Sequence, residues 1–122
     1  MEAFKATRLA MKFAECHISD KSYVENNTPL GMMTACMEEA GEYIAAFGKY
    51  KRTLGEGPIT PVSEEDALLN LKKELADVVS TGILLAEKMG WLDDILDIHK
   101  AKSQMCLDRI VEKQNTENEG EA

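Results

Sequence analysis

Two acidic motifs are the residues of this chain whose types and spacing could do chemistry. The first, Glu-Glu-x-x-Glu, consists of Glu38, Glu39 and Glu42, and the second, Glu-x-x-Asp, consists of Glu74 and Asp77. Helical residues three or four positions apart share a face, so Glu39 projects beside Glu42 and Glu74 beside Asp77. Each motif therefore offers a pair of carboxylates if its segment is a helix.

A divalent cation is the ligand that such paired carboxylates would favour. If the two helices pack side by side, four or five acids converge, and their mutual repulsion raises their pKa values and costs stability. A bound cation removes that cost. An all-oxygen ligand set without His or Cys suits a hard ion, which predicts Mg²⁺, with Mn²⁺ as a substitute.

A plain structural interpretation of the acidic residues competes with this one. Glutamate is a good helix former, and Glu-Glu-x-x-Glu alone is more often a solvated helix face than a metal site. The context favours function, because Glu38, Glu39 and Glu42 have no basic residue four positions later. Asp77 likewise opens the uncharged stretch Val78–Ala86 instead of a charged surface.

Four helices must position these acids. Thr28 followed by Pro29 predicts one helix start, and Ser63 with Asp66 three residues on predicts a capping box at another. Hydrophobic periodicity then predicts helices over residues 2–17, 29–53, 64–89 and 92–113.

The remaining segments are predicted to lack regular structure. Ile18 to Asn27 is polar and ends in an Asn pair, which indicates a loop, and Gly55 to Val62 contains two glycines and two prolines, which indicates a connection. No convincing strand pattern occurs. We therefore expect an all-α fold, a four-helix antiparallel bundle forming one domain over residues 1–113, followed by a disordered acidic tail over residues 114–122.

The uncharged half of the third predicted helix points to assembly. Between Asp77 and Glu87 no face carries a charge, which predicts that other helices enclose this stretch, including those of a second subunit. We expect a homodimer or a homotetramer.

Charge, cysteine content and hydropathy indicate which partners and which compartment to expect. The 122 residues carry a formal charge of −8, which disfavours nucleic acid as a partner. Three cysteines without CxxC spacing fit a reducing compartment, so we expect a cytoplasmic protein. Val78–Ala86, the longest uncharged run, is far short of the roughly 20 residues of a membrane span, so no membrane partner is expected.

The paired motifs, in this order on successive predicted helices, resemble the MazG-like superfamily of all-α nucleoside triphosphate pyrophosphohydrolases. The resemblance covers roughly Leu30 to Ile110. It implies that Glu39, Glu42, Glu74 and Asp77 bind Mg²⁺, and that Glu38 orients or deprotonates the attacking water and can help hold a further metal.

Basic residues extend the resemblance. Family members often carry Lys-x₃-Asn-x₂-Arg on the final helix, contacting the nucleotide, and Lys102 and Arg109 occupy that spacing here with Cys106 in place of the asparagine. Lys102 and Arg109 could equally be surface cations near a helix C-terminus, where the dipole favours them. A further group could bind the outer phosphates or serve only the helix dipole at a C-terminus: Lys49, Lys51 and Arg52.

The resemblance implies attack at the α-phosphate of a nucleoside triphosphate, which gives a monophosphate and pyrophosphate, with deoxynucleotides favoured by family habit. Within the superfamily, a dUTPase or a phosphoribosyl-ATP pyrophosphohydrolase is an alternative. From another class, a non-catalytic helical interaction module, whose acidic faces bind a basic partner, is the competing hypothesis.

Overall fold

A computed structural model describes residues 16–121, which form four α-helices and no strand. The helices are α1 (His17–Asn26), α2 (Pro29–Thr53), α3 (Glu64–Met89) and α4 (Leu92–Glu121). The all-α class is thereby confirmed for this part of the chain. The helix predicted over residues 2–17 lies outside the described residues except at its last two positions.

The chain divides into two units, Met1–Met89 and Gly90–Ala122. The first contains α1, α2 and α3, and the second contains α4. The boundary falls inside the domain predicted over residues 1–113. None of the described helices is long and apolar enough to cross a membrane.

The bounds of α2 and α3 agree with the prediction, since local chemistry fixes both starts. The Thr28 hydroxyl accepts a hydrogen bond from the Gly31 amide at 3.0 Å, and Pro29 occupies the first helical position. The Ser63 hydroxyl accepts one from the Asp66 amide at 3.1 Å. Free amides of the first turn of each helix are thus satisfied.

A Schellman motif ends α2. The Glu56 amide donates to the Lys51 carbonyl at 3.1 Å, and the Gly55 amide donates to the Arg52 carbonyl at 3.1 Å. Gly55 adopts φ +89°, a left-handed conformation that suits glycine. The chain therefore leaves α2 in a defined direction.

The segment 18–27, predicted to be a loop, is mostly helical in α1, so this prediction was wrong. The two asparagines bond backward onto the helix: Asn26 Nδ2 donates to the Ser22 carbonyl and Asn27 Nδ2 to the Tyr23 carbonyl, both at 2.7 Å. The helix also packs against α3, where Lys88 Nζ donates to the Val24 carbonyl at 2.8 Å. The contact with α3 thus stabilises α1 as a helix, although the residues of α1 have weak helix propensity.

α4 continues past Lys113, its predicted end, and includes most of the segment 114–122 that was predicted to be disordered. The reason is local, because this segment has no proline, and three of its nine residues are Glu and one is Gln, which are good helix formers. The Thr116 hydroxyl also donates to the Glu112 carbonyl at 3.0 Å. Every side chain described in α4 is exposed.

α2 and α3 pack against each other as an antiparallel hairpin joined by residues 54–63. The buried side chains among the described residues are Met32 and Ala46 on α2 and Ala67 and Ala86 on α3. Three of these four are alanines, whose small side chains let two helix backbones approach closely. The buried residues described in the hairpin are therefore all apolar, and most of them are small.

The uncharged stretch Val78–Ala86 is only partly covered. Ala86 is buried, but the side chains of Val79 and Ile83 are 40% and 41% exposed. Apolar surface on this face of α3 remains in contact with solvent, and the expected enclosure by a second subunit stays a prediction.

Candidate metal centre

The α2–α3 hairpin brings acids from both motifs together. One carboxylate oxygen each of Glu39, Glu74 and Asp77 lie within 4.8 Å of one another. Glu39 is contributed by α2, and Glu74 and Asp77 by one turn of α3. The two motifs, far apart in sequence, therefore meet at one point of the hairpin, here called the acidic cluster.

Partial burial and mutual repulsion raise the pKa values of two members of the acidic cluster. Burial, followed by the charges of Glu42 and Asp77, raises the pKa of Glu39 above its ordinary value. Burial and the charge of Glu42 likewise raise the pKa of Glu74, with Asp77 adding to the effect. Ionising these carboxyls is therefore costly unless a positive charge arrives.

Two oxygens of the acidic cluster are hidden from water and unpartnered. Glu39 Oε2 and Glu74 Oε2 have almost no accessible surface and accept no hydrogen bond from any residue that the structure describes. Buried polar atoms nearly always have a partner, so these two acceptors, on side chains that converge at one point, favour a ligand that can contact both. A cation meets this need better than a neutral donor, because it also offsets the repulsion.

Glu42 and Glu38 occupy different places. Glu42 is exposed and lies beside the acidic cluster, close enough to raise the pKa values of Glu39 and Glu74. Glu38 is exposed and lies outside the three-carboxylate group. Of the four predicted metal ligands, three converge and Glu42 is adjacent, whereas Glu38, predicted to act on the attacking water, is not among the converging carboxylates.

The geometry suits a small hard cation. Mg²⁺ binds oxygen at about 2.1 Å, so two of its ligand atoms are at most about 4.2 Å apart. Oxygens already within 4.8 Å of one another would need only small side-chain adjustments to reach these distances. Three carboxylates leave further coordination positions for water or phosphate oxygens, which is how Mg²⁺ is usually held in proteins.

Lys49, Lys51 and Arg52 lie at the C-terminal end of α2. Lys49 is seven positions beyond Glu42, which is about 10 Å along a helix axis. Lys51 Nζ is 3.6 Å from a Glu56 carboxylate oxygen and 5.7 Å from the centre of the Phe47 ring. Lys51 thus has neighbours within its own part of the chain, and phosphate binding by all three cations stays a prediction.

Lys102 and Arg109 lie on α4, in the other unit, and both are exposed. Seven positions separate them, so they share one face of α4. Cys106 lies between them and is also exposed. Contact of this face with a nucleotide stays a prediction.

One feature near the acidic cluster was missed because α1 was predicted as a loop. α1 and α3 enclose a small cavity, lined by Cys16, Asp20, Ser80, Ile83 and Leu84. The pair Lys21 and Glu25, four positions apart and 3.7 Å from each other, is the sequence signal that could have indicated a helix here.

Comparison with known proteins adds no family assignment: no family, curated protein or solved structure matches the chain.

Proposed function

We propose that this protein is a Mg²⁺-dependent nucleoside triphosphate pyrophosphohydrolase of the MazG-like superfamily, active in nucleotide metabolism. The observation that carries the proposal is the convergence of Glu39, Glu74 and Asp77, with two buried carboxylate oxygens lacking any described partner. The order and spacing of the two acidic motifs supply the link to nucleotide chemistry.

Glu39, Glu74 and Asp77 would hold Mg²⁺ or Mn²⁺, with Glu42 completing the site. When bound, the cation neutralises the triphosphate, lowers the pKa of water and aligns the attacking and leaving oxygens. Glu38 is the group for water activation, since its exposed carboxylate is next to the acidic cluster in sequence and does not belong to it.

The reaction has a simple balance. A water oxygen attacks the α-phosphorus, the bond from that phosphorus to the bridging oxygen of the β-phosphate breaks, and pyrophosphate leaves. Glu38 accepts the water proton. In this proposal Lys102 and Arg109 contact the nucleotide, and the outer phosphates are bound by Lys49, Lys51 and Arg52.

Assembly as a homodimer or homotetramer is part of the proposal. Leu30, Met37 and Ile44 recur every seven positions along α2, and their side chains are 75%, 76% and 68% exposed. They point away from the side that buries Met32 and Ala46 against α3. Such a stripe of large apolar side chains is typical of a surface that another helix covers.

The three cysteines are free, as a reducing cytoplasm would keep them.

The test is a panel of canonical and modified nucleotides with Mg²⁺ or Mn²⁺, scored for pyrophosphate and for orthophosphate. We expect pyrophosphate and a monophosphate from at least one triphosphate, and loss of turnover in Glu39→Gln and Asp77→Asn. Glu65→Gln, an exposed acid in the first turn of α3, is the matched control and keeps activity.

Other results of the nucleotide panel would support the alternative functions. Activity confined to dUTP or to phosphoribosyl-ATP would place the protein in those branches of the superfamily. Orthophosphate as the sole product contradicts attack at the α-phosphate. Absence of any nucleotide product together with absence of Mg²⁺ binding would favour a non-catalytic interaction module.

A further inference from the structure

One exposed face of α3 runs from the contact with α1 past the acidic cluster. Leu69, Ala76 and Ile83 recur every seven positions on α3, so they lie along one face, here called the α3 strip. The side chains of Leu69 and Ile83 are 52% and 41% exposed, and Ala76 is exposed as well. A row of apolar side chains along one helix face is typical of a surface on which another helix packs.

The helix α1 runs parallel to α3. Asp20 lines the cavity with Leu84, and one turn later the Val24 carbonyl accepts the hydrogen bond from Lys88. Both pairs differ by 64 positions, so the two helices run in the same direction with a constant offset. A helix that continued upstream of Cys16 would therefore follow α3 toward the acidic cluster.

Residues 1–15, which lie outside the described part of the chain, are placed to continue this contact. They contain neither glycine nor proline, and they belong to the helix predicted over residues 2–17. The side chain of Cys16 forms no capping hydrogen bond at the start of α1, whose first amides a continuing helix would satisfy. Fifteen helical residues span about 22 Å, enough to follow α3 from Ser80 back to its first turn.

The apolar residues of this segment match the α3 strip. Leu9 and Phe13 precede Cys16 and Asp20 by seven positions each. In a continuous helix they would face α3, as Cys16 and Asp20 do where they line the cavity. At the offset of 64 positions, Phe13 reaches the level of Ala76, at the centre of the α3 strip. An apolar pair would thus cover an apolar surface.

The charges of this segment complement the acidic cluster. Lys5, Arg8 and Lys12 are three and four positions apart, so in a helix they share one face. The same offset brings Lys12 to within one position of Asp77 along α3. Asp77 is exposed and forms no ion pair with any residue that the structure describes. Because the acidic cluster consists of carboxylates, a lysine beside it offsets their repulsion.

We propose that residues 1–15 dock along the α3 strip of their own chain, and that Lys12 pairs with Asp77 when no divalent cation is bound. The segment is joined to Cys16, which already lies against α3, so docking is intramolecular and has a high effective concentration. The ammonium group is then an internal counter-ion that a divalent cation must displace. This inference goes beyond the proposed hydrolysis and rests on the proposed function only for the cation site.

The first experiment locates the segment in the full chain. With labelled alanine methyl groups and phenylalanine rings, NMR in chelator should show a nuclear Overhauser contact between the Phe13 ring and the Ala76 methyl group. Absence of this contact overturns the proposal. A contact found only between labelled and unlabelled chains in a mixture also overturns it, because a second copy then covers the α3 strip.

The second experiment tests the charge by calorimetric Mg²⁺ titration and by thermal melts in chelator. We expect Lys12→Gln to bind Mg²⁺ about twofold to fivefold more tightly, the range of a partly exposed ion pair, and to melt at a lower temperature without cation. Lys12→Arg keeps the charge and should behave as the wild type. Lys21→Gln, which makes the same charge change where Lys21 faces Glu25, is the matched control. Equal Mg²⁺ affinity in Lys12→Gln and Lys21→Gln overturns the pairing.

The results separate this proposal from the proposed function. Absence of Mg²⁺ binding and of pyrophosphate release overturns the function, whereas the contact of Phe13 with Ala76 and the melts in chelator still decide the docking. Pyrophosphate release without that contact leaves the function standing and overturns the docking. The wild-type spectrum decides the docking even if Lys12→Gln does not fold.

Discussion

Glu39 on α2 and Glu74 on α3 each turn one carboxylate oxygen out of contact with water, and neither oxygen accepts a hydrogen bond from a described residue. The two side chains come from different helices of one hairpin, so packing the hairpin forces them together. Without a positive charge, this arrangement opposes the apolar contacts that hold α2 against α3. The free energy of unfolding should therefore depend on whether protons or a cation neutralise the acidic cluster.

The first prediction concerns pH in the absence of divalent cations. The pKa values of Glu39 and Glu74 are raised in the folded state above the ordinary value of 4.5. Between that value and the raised one, the folded state binds more protons than the unfolded state. The free energy of unfolding therefore falls as pH rises through this window.

Thermal melts at a series of pH values in chelator measure this effect. Replacing Glu39 and Glu74 together by Gln should remove the effect and flatten the curve, whereas Glu64→Gln with Glu65→Gln, on the exposed first turn of α3, should not. Identical pH dependence in all three proteins would contradict the assigned burial and repulsion.

Divalent cations should raise the melting temperature. A ligand that binds only the folded state at a hundred times its Kd stabilises by about 2.7 kcal/mol. Mg²⁺ or Mn²⁺ should therefore shift the wild-type transition upward, and Asp77→Asn should lose most of the shift. Differential scanning calorimetry with and without cation tests this, with Glu65→Gln expected to respond as the wild type does.

Glu38→Gln should separate chemistry from binding. Because Glu38 lies outside the acidic cluster, its loss should leave the cation-induced melting shift nearly intact. Turnover should fall by about 10²–10⁴-fold, the usual contribution of a general base. Steady-state kinetics and calorimetric Mg²⁺ titration of the same protein check both halves, and a parallel loss of Mg²⁺ binding would make Glu38 a ligand instead.

Gly55→Ala and Gly41→Ala should move stability in opposite directions. Gly55 has φ +89°, where a Cβ atom costs about 1 kcal/mol or more, so alanine destabilises the end of α2. Gly41 lies within α2, and an added Cβ there meets no atom within 4 Å, so alanine should stabilise by about 1 kcal/mol. Chemical denaturation of both variants in chelator measures the two effects.

Met37→Glu should weaken self-association. Met37 is the centre of the exposed stripe on α2, and in a symmetric contact the substitution places two like charges together. Light scattering over a range of concentrations should show the wild type larger than a monomer and Met37→Glu reduced toward a monomer. Met37→Leu, which keeps the apolar surface, is the control, and a wild type that is monomeric throughout would exclude this interface.

The sequence predicts best where short-range chemistry decides. The bounds of α2 and α3 follow from Thr28, Pro29 and Ser63, whose capping contacts need no information from the rest of the chain. Pairing within each acidic motif follows from helical spacing alone. For the two motifs to meet, α2 and α3 must also be neighbours. This is favoured because only residues 54–63 connect the two helices.

Tertiary effects explain what the sequence did not predict. α1 has weak helix propensity and is held partly by its contact with α3 and by Lys88, which bonds the Val24 carbonyl. With α1 taken as a loop, the space between Asp20 and Ser80 was not foreseeable. The extent of α4 was underestimated because an acidic, polar composition was taken as a sign of disorder, although the same residues favour a helix.

The hairpin connectivity of α2 and α3 has a consequence for biosynthesis. All the carboxylates of the acidic cluster belong to two helices joined by residues 54–63, so they meet within a single hairpin. Once the nascent chain has emerged from the ribosome as far as Met89, every carboxylate of the acidic cluster is already outside. The cation binding that we propose could thus begin during translation, before α4 has emerged.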